Sequence, residues 1–201
     1  MGDGNANVYC CLSKTEMEIL RLAKPYLKVR DNETHTENAI EFALRLLGIH
    51  TAERAIIVPS LILHDVGWSE MTKEAISRTC RRDAEKLLAR PHEMESVKIA
   101  ANILKDVRYE PAKTLEILEI INGHDTRTAA LSINDEIVKD SDKLTRYARN
   151  FWFWTGQIPM APGELADALE HNIDQWFFLE ASKKMARAEL TQRRIEIARE
   201  A

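Results

Sequence analysis

The chain has 201 residues, of which 45% are hydrophobic and 30% are charged, and its formal net charge is −4 at pH 7. That length suits one domain with an appendage, and the composition excludes low-complexity disorder. Because basic residues are spread along the sequence and form no block, we expect no nucleic acid polymer as a partner.

Cysteines and apolar runs indicate the compartment. Cys10, Cys11 and Cys80 include an adjacent pair but no C-x-x-C, so neither a disulfide framework nor a thiolate zinc site is indicated. Residues 1–13 lack the basic start and apolar core of a signal peptide, and no run reaches the roughly 18 apolar residues of a membrane span. We therefore expect a cytoplasmic protein with no membrane partner.

Helical signals begin after residues 1–13, which we expect to form a flexible N-terminus. Ser13 has capping-box spacing to the glutamate three positions later, which predicts a first helix from there to Leu27. Thr34 has the same spacing to a second glutamate. It predicts a second helix with His35 in its first turn.

The segment 53–65 is apolar on nearly every face, which predicts a central buried helix. A buried strand is the competing interpretation, but the run is long for one. We interpret Gly67 as the helix stop, which places His64 and Asp65 at the C-terminal end of this helix, deep in the fold. Burying such polar groups without partners is costly, so the burial of His64 and Asp65 requires an explanation.

Periodicity and cap signals predict further helices in the remainder of the chain. They span residues 72–88, 91–104 with Pro91 at the first position, 111–122, 135–152 and, as one long helix or two, 164–201. We find no run of alternating strands, so the expected fold class is all-α. A helical domain over residues 14–155 is then followed by a C-terminal helical extension, residues 156–201, which packs on the domain or on a second subunit in a homodimer.

Histidines and aspartates occur in an order that predicts a metal site. The order is His35, the adjacent pair His64 and Asp65, then His92, His124 and Asp142. Imidazole and carboxylate together suit a divalent ion such as Mn, Fe, Co, Ni, Mg or Zn. Taken singly, each histidine could be an ordinary polar residue, and the His–Asp pair could be a buried hydrogen-bonded pair.

The contexts of these residues resemble the HD superfamily. The resembling segments are LHDVG at 63–67, PHE at 91–93, INGHD at 121–125 and DSDKL at 140–144. The resemblance implies an HD-domain helical bundle in which His35, His64, Asp65 and Asp142 bind a divalent metal. One departure is Trp68, since many phosphohydrolases of this kind carry a lysine there, and it leaves the phosphate-binding arrangement open.

The resemblance also implies a metal-dependent phosphohydrolase that acts on a small phosphate ester, with a nucleotide as the leading candidate, through metal-activated water. Asp65, His92 and His124 are the implied catalytic residues. His92 and His124 either bind a second metal, giving two ions per chain, or contact the substrate phosphate, or orient ligands. Two alternatives share the fold: a mixed-valent di-iron oxygenase and a non-catalytic regulatory module that binds metal and nucleotide.

Charged residues near the predicted ligands are candidates for supporting roles. Lys143, Arg127 and Arg146 are candidate phosphate-binding residues because they are close in sequence to the ligands, although a solvated face is the alternative. Carboxylates that neighbour the ligands are interpreted as supporting or capping residues, with a general base as the alternative. They are Glu93, Asp125 and Asp140.

Overall fold

The computed structural model describes residues 8–78, 82–148, 151–152, 155 and 160–200, and these contain helices and no strand. The all-α fold class is confirmed. The α-helices in this part of the chain are α1 (Lys14–Ala23), α2 (Asn32–Leu47), α3 (Arg54–Leu63), α4 (Lys73–Arg78), α5 (Arg82–Asp106), α6 (Pro111–Ile121), α7 (Ile133–Leu144), α8 (Pro162–Trp176) and α9 (Glu180–Glu200). Among them, none combines the length and the apolar character needed to cross a bilayer.

Helix α3 lies at the centre of the bundle. Every residue from Ile56 to Leu63 is buried, and the helix packs against α1, α2, α6 and α7. Burial of one such aliphatic side chain contributes about 1.5–3 kcal/mol, so this helix carries a large share of the core energy. The predicted central helix is confirmed, and its C-cap residue is His64.

The start of α1 agrees with its capping-box signal. The Ser13 hydroxyl accepts a hydrogen bond from the backbone N–H of Glu16, whose carboxylate accepts one from the Ser13 N–H. The helix ends earlier than predicted, at Ala23, and a 3-10 turn over Lys24–Tyr26 follows. Pro25 stands in that turn, where its missing N–H and fixed φ oppose a longer α-helix.

Helix α2 begins two residues before the predicted cap. Asp31 is the N-cap and adopts a left-handed conformation with φ of 59°. The prediction that Thr34 caps the helix is wrong, because its hydroxyl lies inside the first turn and donates to Asp31 Oδ1 at 2.8 Å. His35 still falls in the first turn, and its N–H bonds to the Asp31 carbonyl at 3.0 Å.

Helix α5 passes through a predicted boundary. We expected a helix start at Pro91, but Pro91 lies inside one helix that spans Arg82–Asp106. A proline removes one backbone hydrogen bond from a helix. Here the turns on both sides continue, so His92 stands in mid-helix and not at a helix start. Of the predicted helix 72–88, residues 79–81 lie outside the described part.

Gly67 does not end α3, which stops at Leu63. It stands in a 3-10 turn over Val66–Glu70 that packs tightly on α5. A Cβ atom at Gly67 would lie 2.2 Å from the His92 carbonyl oxygen, and the Gly67 N–H donates to Ser96 Oγ at 2.8 Å. Glycine is therefore needed for close approach of the two segments.

Helix α7 is shorter than the predicted segment 135–152. Ser132 caps it through the N–H of Asp135, and after Leu144 the chain enters a 3-10 turn over Thr145–Tyr147. Residues 149–150, which fall in the same prediction, lie outside the described part.

The C-terminal segment forms two helices, α8 and α9, as one of the two alternatives predicted. Both pack on each other, and α9 also contacts α7. Asp140 fixes this contact, because its carboxylate accepts hydrogen bonds from the N–H groups of Phe178 and Leu179 at 3.0 and 2.9 Å, directly before α9. Asp140 thus joins α7 to the segment that precedes α9, and its expected role beside the metal ligands stays a prediction.

Candidate metal centre

Five separate segments bring the six predicted metal-binding residues to one place. Most of these side chains are buried, and all of them lie where α2, α3, α5 and α7 meet the loop after α6. The residues are His35 in the first turn of α2, His64 and Asp65 directly after α3, His92 in α5, His124 after α6, and Asp142 in α7.

Four of these residues form a first group of donor atoms, which we call cluster A: His35, His64, Asp142 and Oδ2 of Asp65. His35 Nε2 lies 3.0 Å from Asp142 Oδ1 and 3.1 Å from His64 Nε2. Asp65 Oδ2 lies 3.7 Å from His35 Nε2 and 3.6 Å from His64 Nε2. His35, His64 and Asp142 therefore form one group of donor atoms, and Asp65 Oδ2 lies near both imidazoles of that group.

A second group, cluster B, consists of His92, His124, Asp125 and Oδ1 of Asp65. The Nε2 atoms of His92 and His124 are 3.2 Å apart. Asp65 Oδ1 lies 3.4 Å from His92 Nε2 and 3.5 Å from His124 Nε2. Asp65 thus turns one oxygen towards each cluster.

Backbone carbonyls set the tautomers of two imidazoles. His64 Nδ1 lies 2.8 Å from the Leu61 carbonyl oxygen, and His124 Nδ1 lies 2.9 Å from that of Ile121. A carbonyl only accepts, so Nδ1 must carry the proton in each ring. Both Nε2 atoms then turn a lone pair towards their cluster, as metal-binding histidines do.

The electrostatics of the clusters fit a cation. Although burial opposes its charged form, the neighbouring Asp65 raises the pKa of His64. Burial acts the same way on His124, but Asp125 and then Asp65 raise its pKa to about 10. Facing nitrogens at 3.1 and 3.2 Å would repel each other unless a proton or a metal ion lies between them. The donor set fits a divalent metal ion, which would replace those protons.

The carboxylates are correspondingly held in their charged forms. Burial opposes the ionisation of Asp65 and Asp142, yet the surrounding imidazoles keep the pKa of both well below the ordinary value. Deprotonated carboxylates are the form that binds a metal ion.

The loop that carries His124 is fixed by two buried charged residues. Glu93 accepts hydrogen bonds from the N–H groups of Asp125 and Thr126 at 2.9 and 2.8 Å. On the other side, the Lys139 amine donates to the carbonyls of Gly123 and His124. Glu93 has the supporting role expected of it.

Lys139 was not recognised in the sequence. It stands three residues before Asp142 in α7. This spacing places both side chains on one face of the helix, and it was the sequence pattern that could have identified Lys139.

Trp68, the departure from the family pattern, contacts both parts of the centre. Its indole stacks on the His92 ring, with centroids 4.3 Å apart, and its Nε1–H donates to Asp65 Oδ1 at 3.1 Å. The Arg30 guanidinium lies 3.8 Å from the Trp68 ring centroid. The indole therefore orients a residue of cluster B and the carboxylate that both clusters share.

The three predicted phosphate-binding cations contact protein groups. Arg127 donates to Asp135 Oδ2 at 2.8 Å and to the Glu119 carbonyl at 3.2 Å, so it braces the loop, and a phosphate role for it stays a prediction. The Lys143 amine donates to the Trp176 carbonyl at 3.0 Å, and the Arg146 guanidinium lies 5.6 Å from the Trp176 ring. A phosphate role for Lys143 and Arg146 stays a prediction.

The fold and the centre define an all-helical protein with a histidine–aspartate site of the metal-binding type. The sequence model of the HD domain matches residues 32–147, which is more than half of the chain. The chain belongs to the HD domain family, which confirms the resemblance found in the sequence.

The similarity extends to the three-dimensional structure. The fold is similar to the crystal structure of a predicted HD superfamily hydrolase from an uncultured Thermotogales bacterium, with a TM-score of 0.62. The identity is 18%, and the match covers 91% of this chain and 89% of the other. No curated protein matches the sequence.

Proposed function

We propose that this protein is a metal-dependent phosphohydrolase acting on a small phosphate ester, with a nucleotide as the leading candidate. The observation that carries the proposal is the pair of clusters that share Asp65. Membership of the HD domain family, and likeness in fold to a protein described as a predicted hydrolase, support the reaction class. A divalent metal supplies Lewis acidity for a phosphoryl oxygen and lowers the pKa of bound water towards about 7.

The chain prepares its donor groups before any substrate arrives. The carbonyls of Leu61 and Ile121 hold the rings of His64 and His124 in place. The Trp68 N–H holds the orientation of the Asp65 carboxylate. Such preorganisation is what electrostatic stabilisation of a transition state requires, because the site then needs little rearrangement during the reaction.

Side chains of the centre differ in their exposure to solvent. The side chains of His64 and His92 are 1% and 0% exposed, whereas that of Asp125 is 29% exposed. Asp125 is therefore more exposed than His35 and Asp65, whose side chains are each 13% exposed. Lys143 directly follows Asp142, and Arg146 lies about one turn further. We propose both as the contacts of the substrate phosphate.

The test combines metal analysis with a phosphatase assay. Protein purified without added metal is assayed on a nucleoside monophosphate and an aryl phosphate with Mn, Co, Ni, Mg and Fe. We expect metal-stimulated phosphate release that falls about 100-fold or more in His64→Gln, because that variant removes a ligand. His171→Gln is the matched control, since His171 is exposed and lies in α8. Full activity in His64→Gln would overturn the proposal.

A di-iron oxygenase is the second candidate, in which the two His–Asp clusters that share Asp65 would each hold one iron. The discriminating measurement is iron content together with an electron-paramagnetic resonance spectrum. Two irons per chain with a mixed-valent signal, and no phosphate release from any substrate, would replace the phosphohydrolase proposal.

A further inference from the structure

A stack of three side chains extends from the metal centre to the loop before α2. It consists of His92, Trp68 and, at its outer end, Arg30. We propose that Arg30 binds the phosphate group of the substrate. The inference rests on the proposed phosphohydrolase function and deepens it by naming a substrate-binding residue that is not a metal ligand.

The geometry of the stack places the guanidinium close to the centre. The rings of Trp68 and His92 are nearly parallel, with 15° between their planes and centroids 4.3 Å apart. Arg30 Cζ lies 3.8 Å from the Trp68 ring centroid. Two groups at these distances would overlap on one face of the indole, so Arg30 occupies the face opposite His92. The thickness of one aromatic ring therefore separates the guanidinium from a residue of cluster B.

A guanidinium that stacks on a ring can still bind an anion. Its N–H donors lie in the guanidinium plane, so a contact through the face does not use them, and they match two phosphate oxygens at once. The ring also holds the guanidinium in one orientation, which reduces the entropy lost on binding. Arg30 is partly exposed, whereas Trp68 beneath it is only 3% exposed, so an anion from solvent can reach the guanidinium.

The backbone that carries Arg30 has an unusual conformation beside the centre. Arg30 and Asp31 both have positive φ values, 56° and 59°, in the left-handed region that residues with a Cβ atom rarely adopt. The next residue, Asn32, is buried and donates from Nδ2 to the Asp65 carbonyl at 3.3 Å. This bond ties the loop to the residue that both clusters share. Strained residues held in this way are concentrated at ligand-binding sites.

The experiment measures phosphate binding by the Mn²⁺-loaded, full-length protein. Wild type, Arg30→Gln and Arg30→Lys are titrated calorimetrically with inorganic phosphate. We expect the dissociation constant of phosphate to rise about 10- to 100-fold in Arg30→Gln, the size of a lost pair of charge-assisted hydrogen bonds. Arg30→Lys keeps the charge but not the planar fork, so it should lose less. Arg45→Gln is the matched control, because the Arg45 guanidinium also lies over an aromatic ring, that of Phe42, at 5.2 Å.

Further measurements separate phosphate binding from a structural role of Arg30. Glutamine and lysine are unbranched at Cβ, as arginine is, so the backbone at position 30 meets the same steric demand in each variant. Mn²⁺ affinity and the circular dichroism spectrum should stay at their wild-type values. The KM for an aryl phosphate should rise in Arg30→Gln, with a much smaller change in kcat, because the lost contact is already made in the ground state.

The outcomes for Arg30 and for the proposed function can be told apart. Phosphate binding by Arg30→Gln as tight as by the wild type would overturn the inference, and so would a wild type that binds no phosphate. A parallel loss of Mn²⁺ affinity in Arg30→Gln would also overturn it, because the residue would then support the metal centre itself. Phosphate binding that depends on Arg30, without turnover of any phosphate ester, would instead reject the phosphohydrolase proposal and leave Arg30 as a phosphate-binding residue.

Discussion

Trp68 is the residue whose side chain contacts both the shared carboxylate and cluster B. Trp68→Phe would keep an aromatic ring against His92 but remove the N–H that donates to Asp65. Since groups that orient metal ligands typically contribute ten- to 100-fold, we expect metal-stimulated turnover to fall about tenfold with little change in the fold. Steady-state kinetics and Mn²⁺ titration measure the effect.

Trp152→Phe is the matched control for that variant, because Trp152 also donates an indole hydrogen bond, to Glu196 at 3.1 Å. It should leave turnover unchanged. Wild-type turnover and metal affinity in Trp68→Phe would show that the N–H does not position Asp65.

Among single residues, the sequence predicted the metal-binding side chains better than it predicted the residues that hold them in place. His35, His64, Asp65 and Asp142 were predicted together because their order and neighbours resemble a known family. The position of Asp125 beside His92 and His124 follows from the loop conformation that Glu93 and Lys139 impose, and single-residue patterns do not encode that conformation.

Helices α1 and α3 are joined by a charged pair that can be tested separately from the centre. Glu16, only 5% exposed, accepts two hydrogen bonds from the Arg54 guanidinium at 2.9 and 2.8 Å. Glu16→Gln should lower the free energy of unfolding by about 1.5–3 kcal/mol at pH 7, because hydrogen bonds to charged groups are of that size. Denaturant unfolding measures it.

The effect of that substitution should depend on pH. Burial opposes ionisation of Glu16, but the bonds from Arg54 lower its pKa below the ordinary value. The contribution is therefore present above the unfolded-state pKa of about 4.3 and is lost as pH falls through the lower folded-state value. Glu18→Gln, which breaks an exposed pair with Arg21 inside α1, should change little at either pH. A difference between Glu16→Gln and wild type that persists unchanged at pH 2 would contradict this assignment.

Elements were predicted well where the local signal and the packing agree. Helix α3 followed from a run of apolar residues, and the start of α1 followed from Ser13. The predictions at Pro91 and Thr34 were wrong, because α5 continues through Pro91, where it packs on the turn that holds Gly67, and α2 already begins after Asp31. Boundaries set by tertiary contacts are not visible in a local pattern.

Metal binding should stabilise the whole molecule, because the site exists only in the folded chain. Mn²⁺ at about 100 times its dissociation constant adds roughly 2.7 kcal/mol, or roughly 5–10 °C in the melting temperature of a domain of this size. Thermal unfolding with Mn²⁺ and with a chelator measures the shift. An equal shift in His64→Gln would place the stabilising ion elsewhere.

The increase in melting temperature caused by Mn²⁺ should also depend on pH. Asp125 and then Asp65 raise the pKa of His124 to about 10 against the effect of burial, so the metal-free centre holds a proton there at neutral pH that an ion must displace. Apparent metal affinity should fall as pH falls, and the thermal shift should be smaller at pH 6 than at pH 8.

The centre also determines when in its synthesis the chain becomes functional. His35 and Thr145, which lie 110 positions apart, meet at 3.2 Å beside cluster A. A ribosome must therefore release α7 before the donors of α2 and α3 can be joined by the last carboxylate, Asp142. Incomplete translation products that stop before α7 carry both histidines of cluster A but lack that ligand, so the cell acquires a complete centre only from chains that extend past it.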